Sequence, residues 1–265
     1  MKLQLALIDL DDTLLGPDKR VSRDNLKALR RLEDAGIQPV LASGRHLLSM
    51  QRIAAELPGI KWIISMQGGL VTDVAGQNII FETLLDAEKA GKVIEMGAAA
   101  KYTVIVYARD EIFAHRSNEY VQRYERLSGH KVTLLDPVEL LKHEIFKVLW
   151  LDRTDRIDQI LGMVELQELD AYLVRTHNEI FEFMSKSSNK GIAVAELAGH
   201  LGIPREACVA FGDGNNDVPM LQWAGQSVAM AHGWEDARKA ARLVTPEGGD
   251  PSTAFARAVD MVLGE

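Results

Sequence analysis

Two short acidic segments hold the residues best suited to chemistry. The first is Asp9-Leu10-Asp11-Asp12-Thr13-Leu14-Leu15, directly after an apolar run at residues 3–8. Asp9 and Asp11 are two apart, so a loop that curls past the end of a strand brings both carboxylates toward one point. Such a pair can hold Mg2+, which takes hard oxygen ligands and keeps several waters. It can also divide the roles of nucleophile and general acid/base. An acidic surface turn would account for the same residues. The second segment is Phe211-Gly212-Asp213-Gly214-Asn215-Asn216-Asp217, again after an apolar run. Its glycines permit a tight backbone and close approach to an ion or ligand, and Asp213, Asn216 and Asp217 add oxygen ligands and an amide donor. A Gly/Asn turn with Asp217 capping a helix is the plain alternative, but it leaves unexplained why a second carboxylate cluster also follows a strand. An EF-hand loop is disfavoured by the preceding strand and by Ala224, which stands where that loop needs its bidentate glutamate.

Two fainter signals accompany them. Ser43-Gly44, at an expected helix start, could offer a hydroxyl and a backbone N–H to an anion. Lys190 opens an apolar helical pattern, where the helix dipole disfavours a cation. That placement hints at an anionic group nearby.

The elements that must position these residues follow from periodicity. Residues 3–8, 37–42 and 62–66 read as buried strands. Between them lie helical patterns, one capped by Ser22 and stopped by Gly36, the other carrying Leu47, Met50, Ala54 and Leu57 and ended by Pro58-Gly59. This alternation predicts an α/β fold, a Rossmann-like parallel sheet with helices on both faces. Residues 70–71 and 79–81 flank a hairpin turn. A different order then runs through residues 82–189: helices over 87–100, 118–127 and 156–166 are interleaved with strands near 102–108, 111–115, 146–151, 171–174 and 180–184. The alternating rhythm resumes at Lys190, with a helix to Leu201, strands at 207–211 and 227–230, and a helix at 218–223 between them. The chain therefore reads as a catalytic core, 1–81 with 190–265, carrying an inserted α+β unit at 82–189 whose crossings, near 81–83 and 185–189, would act as hinges.

Composition sets outer bounds. The chain has 265 residues, 47% hydrophobic and 26% charged, long enough for a large core without disulfides or structural metals. The net charge of −8 speaks against nucleic acid or an anionic membrane as partner, though not against an anionic substrate. The single cysteine, Cys208, excludes an intramolecular disulfide and a Cys-rich zinc site, and its apolar surroundings predict a buried thiol. The N-terminal apolar run is too short for a signal peptide, and no stretch approaches 18 uninterrupted apolar residues. A cytoplasmic protein, a monomer or small homo-oligomer, is expected.

In order and spacing the four segments resemble the motifs of the haloacid dehalogenase-like hydrolases, in particular the Cof-type, subfamily IIB phosphatases. Residues 9–14 correspond to the family's DxDGTL, Ser43-Gly44-Arg45 to its Thr/Ser-Gly-Arg motif, Lys190-Gly191 to its Lys-Gly motif, and residues 212–221 to its GDGxND pattern and the Met-Leu that follows. The resemblance covers essentially the whole chain, and the inserted unit corresponds to the family's cap domain. It implies a Mg2+-dependent phosphatase acting on a small phosphorylated metabolite, a sugar phosphate or phosphorylated cofactor. Asp9 would attack phosphorus and form an aspartyl-phosphate, and Asp11 would act as general acid, then base. Mg2+ would be held by Asp9, the main-chain carbonyl of Asp11 and Asp213, with Asp217 in support. Leu10, Ser43, Gly44, Lys190 and Asn216 would hold the phosphate. Two departures stand out: the usual Gly after the second Asp is Asp12, and the usual Asn-Gly after the third core strand is Gln67-Gly68.

A phosphomutase would use the same intermediate. A phospho-accepting signalling module could use the same strand-end aspartate, but needs only about 120 residues, against the two domain-sized units expected here. Substrate contacts beyond the phosphate are sought at Arg45 and, in the inserted unit, at His115 and Arg116. Tyr120, Lys147 and Arg175 also lie there, and for each of these five residues of the inserted unit, His115 and Arg116 included, a solvated surface is the simpler explanation.

Overall fold

A computed structural model describes residues 2–264. The chain forms two compact units, one from the residues up to Glu82 together with those from Asn189 onward, the other Thr83–Ser188. Each boundary lies one residue inside the span of 82–189 expected for the insertion.

The first part of the core comprises β1 (Leu5–Ile8), α1 (Arg23–Asp34), β2 (Gln38–Ala42), α2 (Leu47–Ala55), β3 (Trp62–Ser65), β4 (Leu70–Asp73) and β5 (Ile79–Glu82). The inserted unit comprises α3 (Ala87–Ala99), β6 (Thr103–Ala108), β7 (Ile112–Ala114), α4 (Glu119–Ser128), β8 (Thr133–Leu134), α5 (Pro137–Leu140), β9 (Ile145–Leu151), α6 (Thr154–Ile157), α7 (Val164–Gln167), β10 (Tyr172–His177) and β11 (Ile180–Met184). The core resumes with α8 (Lys190–His200), β12 (Cys208–Gly212), α9 (Val218–Trp223), β13 (Gln226–Ala229), α10 (Glu235–Ala240), β14 (Leu243–Val244) and α11 (Ala254–Leu263).

The core sheet runs β14-β13-β12-β1-β2-β3-β4-β5. It is parallel from β14 to β3, whereas β4 and β5 pair antiparallel. The expected hairpin thus extends the sheet at one edge and makes it mixed. β1 lies centrally, and its alternation shows why each strand reads as a continuous apolar run. Ala6 and Ile8 face one layer, packed with Leu29, Leu32, Met50, Phe255 and Val259. Leu5 and Leu7 face the other, packed with Val194, Leu197, Met220 and Leu221. A strand covered on both faces must be apolar at every position. Parallel strands also deliver their carboxyl ends to one edge, where β1, β2 and β12 release three of the four motifs, while the fourth, Lys190-Gly191, opens α8.

The inserted sheet runs β10-β11-β9-β6-β7-β8, antiparallel except for β7 with β8. Val104, Val106, Val148, Trp150, Phe181 and Phe183 on one face pack with Val93 and Ile94 of α3. The helix expected over 156–166 is instead α6, a 3-10 turn at Ile160–Gly162, and α7. Gly162, a weak helix former, and Met163, in extended conformation, interrupt it. α10 and α11 lie beyond the last element expected from sequence, although Ala254, Phe255, Ala258 and Val259 carry a helical spacing and are buried. Among the described residues no helix is long and apolar enough to cross a membrane.

The start of α8 matters most for the site. Asn189 caps it, its side chain accepting from the Ile192 amide at 2.9 Å. At Gly191 a Cβ would stand 2.7 Å from the Pro219 carbonyl oxygen, so α8 reaches α9 only because no side chain intervenes. Gly191→Ala is expected to push the two helices apart and cost about 1–3 kcal/mol of stability, measured by urea unfolding. Unchanged stability would show that α9 yields without cost.

Candidate active site

The nucleophile loop is curled by its own backbone. Leu14 N donates to Asp9 O at 3.3 Å and Leu15 N to Leu10 O at 2.8 Å. Asn25 fixes the loop's end, donating to Leu14 O at 2.8 Å and accepting from Ala256 N at 3.1 Å. Asp12 sits at φ 63°, in the left-handed region that Gly adopts without strain and Asp tolerates best among residues with a Cβ, along with Asn. The chain path can therefore be kept with Asp in place of Gly.

At the centre of the site Lys190 is fully buried. Its Nζ donates to Asp9 Oδ1 at 2.6 Å and to Asp217 Oδ1 at 2.5 Å. The cation expected to be misplaced at a helix start is thus held by two buried carboxylates. Asp217 accepts with its other oxygen from the amides of Asp213 and Gly214, at 3.0 and 2.8 Å. Asp213 Oδ1 accepts from the buried Thr13 hydroxyl at 2.7 Å. Asp9, Asp213 and Asp217 each offer a carboxylate oxygen within 4.8 Å of the others. Three buried carboxylates against one buried lysine leave an excess of negative charge. Burial first, then the Asp217 charge, pushes the Asp9 carboxyl up to about 7, with Lys190 pulling the other way. Burial, then Asp9 and Asp217, holds Asp213 well above the usual carboxylate range. Burial would lower Lys190, but the Asp217 and Asp9 charges outweigh it and raise it above an ordinary lysine. An all-oxygen, anionic, buried trio suits a small hard cation. Since Asp217 spends both oxygens on protein donors, Asp9 and Asp213 are the side chains left to meet one.

Asp11 stands apart from this trio. Arg45 grips its carboxylate with both arms, Nε to Oδ2 at 2.8 Å and Nη2 to Oδ1 at 2.7 Å, and Lys19 adds a contact at 3.3 Å. Burial would raise Asp11, but Arg45 and then Lys19 prevail and leave it below its ordinary value. Arg45, expected at a substrate, is therefore engaged with Asp11. Lys19 also pairs with Asp12 at 3.2 Å.

The remaining candidates fall into place around this centre. Ser43, at the end of β2, accepts from Arg45 N at 3.2 Å, while the cap of α2 is His46, three residues beyond Ser43. Asn216 donates from Nδ2 to Gln67 Oε1 at 3.0 Å. Leu10, 0% exposed, sits between Asp9 and Asp11 in the curled loop. His115 and Arg116 belong to the inserted unit and serve its backbone: His115 Nδ1 accepts from Val104 N at 3.3 Å, and Arg116 donates to Lys101 O and Tyr102 O at 2.6 and 3.2 Å. Cys208 is buried in β12, and burial pushes its thiol up to about 11, an inert structural group. Sequence reasoning missed Thr13, Lys19, Asn25 and His232, whose Nε2 lies 2.7 Å from the Asp12 carbonyl oxygen. Thr13 alone had a signal, since it lies inside the first acidic segment.

Comparison with known proteins bears on the family and the fold. The sequence pattern of a family described as haloacid dehalogenase-like hydrolase matches residues 6–254. An HMP-PP phosphatase from Klebsiella pneumoniae is 28% identical over 232 residues, covering 86% of this chain and 84% of that protein. The crystal structure of a haloacid dehalogenase-like hydrolase from Bacteroides thetaiotaomicron superposes with a TM-score of 0.84 at 26% identity, covering 98% of this chain and 100% of the other. A HAD subclass IIB sugar phosphatase shares the fold, with a TM-score of 0.85 at 20% identity over 98% and 99% of the two chains.

The charge excess has a measurable consequence in the metal-free protein. The folded Asp9 carboxyl, near 7, lies above its unfolded value of about 4. It therefore favours the folded state at low pH, and that contribution is lost as pH rises through about 7. Asp9→Asn removes the titrating group and is expected to stabilise the metal-free protein at pH 8 by on the order of 2 kcal/mol, less at pH 5. Urea unfolding in chelator at both pH values measures this. Destabilisation at pH 8 would show that pairing with Lys190 outweighs the cost of burying the charge.

Proposed function

The chain belongs to the haloacid dehalogenase-like hydrolases, and from that premise we propose that it is a Mg2+-dependent phosphatase of a small phosphorylated metabolite, working through an aspartyl-phosphate on Asp9. The observation that carries this reading is the buried cluster of Asp9, Asp213 and Asp217 around Lys190 at the carboxyl edge of the parallel strands. The phosphatase relative and the oxygen-only donor set support it.

In this reading Asp9 and Asp213, with the main-chain carbonyl of Asp11, would hold Mg2+, and Asp217 would support them. When bound, the ion offsets carboxylate charge and lets an anionic nucleophile meet an anionic phosphate. A carboxylate oxygen of Asp9 attacks phosphorus, and the bond from phosphorus to the leaving oxygen breaks. Asp11 supplies the proton to that oxygen, then takes one from the water that hydrolyses the aspartyl-phosphate. Two easier steps replace one hard one. The Leu10 and Gly44 amides, the Ser43 hydroxyl, Lys190 and Asn216 hold the phosphate oxygens. For Asp11 to act, Arg45 and Lys19 must release at least one of its oxygens, since both are taken in the resting arrangement.

A sugar phosphate or a phosphorylated cofactor is the substrate class this reading favours. Discrimination among them is assigned to the inserted unit, because the four motifs lie outside it. We place the enzyme in the cytoplasm as a monomer or small homo-oligomer, and the acidic balance of the chain speaks against a nucleic-acid or anionic-membrane partner.

A screen of phosphorylated metabolites with Mg2+ tests the reading. Steady phosphate release is expected from at least one of them and from p-nitrophenyl phosphate. Asp9→Asn should lower kcat/KM by at least about a thousandfold, and excess chelator should abolish turnover until Mg2+ is restored. Asp11→Asn should slow poor leaving groups more than good ones and let the phospho-enzyme accumulate. A phosphoryl group trapped on a residue other than Asp9 would refute the assignment. Isomer interconversion without phosphate release would establish the mutase instead.

A further inference from the structure

The end of β3 carries an unusual backbone. Met66 and Gln67 lie consecutively in the left-handed region, at φ 54° and 59°, and both are buried, 0% and 3% exposed. Such conformations are uncommon for residues with a Cβ, and they persist where the surroundings over-determine them. Met66 N donates to Arg45 O at 3.0 Å and Gln67 N to Ser43 O at 3.2 Å, so the segment is tied to the loop after β2. The Gln67 side chain also reaches the loop after β12, its Oε1 accepting from Asn216 Nδ2 at 3.0 Å. Its amide occupies the space that a side chain at Gly44 would need: a Cβ there would stand 2.4 Å from Gln67 Nε2. One buried amide therefore lies against Gly44 and is bonded to Asn216, two of the groups assigned to the phosphate.

We propose that Gln67 is a positioning residue of the phosphate cradle, its amide locking Asn216 and the Ser43-Gly44 segment into one arrangement, with the left-handed turn at residues 66–67 the cost of placing it there. The inference rests on the phosphatase reading above. A turn alone would be better served by Gly, or by Asn, both of which accept positive φ more readily. What Gln adds is length, enough to span from the end of β3 to the loop after β12. Without that span the Asn216 amide loses the acceptor that fixes its direction, and the cradle meets phosphate less well organised. The deficit belongs to ground-state phosphate binding rather than to the nucleophile, so KM and product inhibition should move while kcat moves little.

Gln67→Asn and Gln67→Gly separate the backbone from the side chain, because each eases the left-handed conformation while withdrawing the amide. Both are expected to fold with a Tm equal to or above that of the wild type. Both should raise KM for p-nitrophenyl phosphate and the inhibition constant of inorganic phosphate together by about tenfold, the scale of one well-placed hydrogen bond, with kcat held within about threefold. Asn216→Ala should give a similar rise. The double variant Gln67→Asn/Asn216→Ala should be no worse than the more affected single, because coupled residues are not additive. Unchanged phosphate inhibition in Gln67→Asn, or a double variant whose effect is the product of the singles, would overturn the proposal. Loss confined to kcat would also overturn it. Wild-type protein that neither hydrolyses the ester nor binds phosphate would remove the functional reading and this inference together. Wild-type turnover with unaltered variants would remove this inference alone.

Discussion

Lys190 is the charge on which the rest of the site depends. Its ammonium joins the end of β1, the start of α8 and the loop after β12, three segments far apart in sequence, through two short bonds in a water-excluded setting. A buried ion pair contributes little net stability, because desolvation offsets most of the attraction. Losing the lysine is a different matter, since Asp9 and Asp217 are then buried without a counter-charge, at a cost of about 3–5 kcal/mol. The arrangement is thus maintained less because it strengthens the fold than because it cannot be half dismantled. The close packing of α8 on α9 at Gly191 and the Asn189 cap serve the same end, by fixing where that lysine begins.

One lysine does not neutralise three carboxylates. The remaining negative charge can be met by protonation, which the elevated Asp9 and Asp213 carboxyls register, or by a cation. A site built for stability alone would replace one of these aspartates by an apolar or amide side chain. The persistence of the excess, in a cluster where Asp217 is already saturated by backbone amides and Lys190, is the physical ground for treating Asp9 and Asp213 as groups kept unsatisfied for chemistry.

Much of this was legible in the sequence, for identifiable reasons. Strands covered on both faces leave continuous apolar runs, so β1, β2, β3 and β12 stood out, and a parallel sheet sends their following loops to one edge. Lys190 announced itself by being a cation where the helix dipole opposes one. What stayed hidden depended on contacts between distant segments. Nothing about Arg45 or Lys19 signals that they close on Asp11, since a basic residue after a loop is equally suited to solvent or substrate. Asn25 looks like an ordinary residue in the first turn of α1, and its role appears only once α11 packs beside it. The broken helix at 156–166 kept a helical spacing of Ile157, Ile160 and Leu166, all buried, so periodicity was satisfied while Gly162 interrupted the backbone.

The two aspartates of the first loop, two residues apart, are driven in opposite directions by their neighbours. Asp9 meets burial and two other carboxylates and is held toward neutrality, whereas Asp11 meets two cations and is held ionised. Environments that push a pair apart mark a division of labour, but here the resting division is the reverse of what nucleophile and general acid require. On the proposed reading that division belongs to the metal-free site: Mg2+ beside Asp9 would favour its ionised form, and the anionic substrate would favour protonation of Asp11. A phosphate arriving beside Arg45 and Lys19 competes for the cations that occupy Asp11, and each contact it takes removes a reason for Asp11 to remain ionised. Asp11 is about a third exposed and Lys19 similarly so, which leaves that exchange open to a ligand from solvent. The clamp would thus keep the acid inactive until a suitably charged group displaces it, tying proton delivery to the presence of the phosphate it serves.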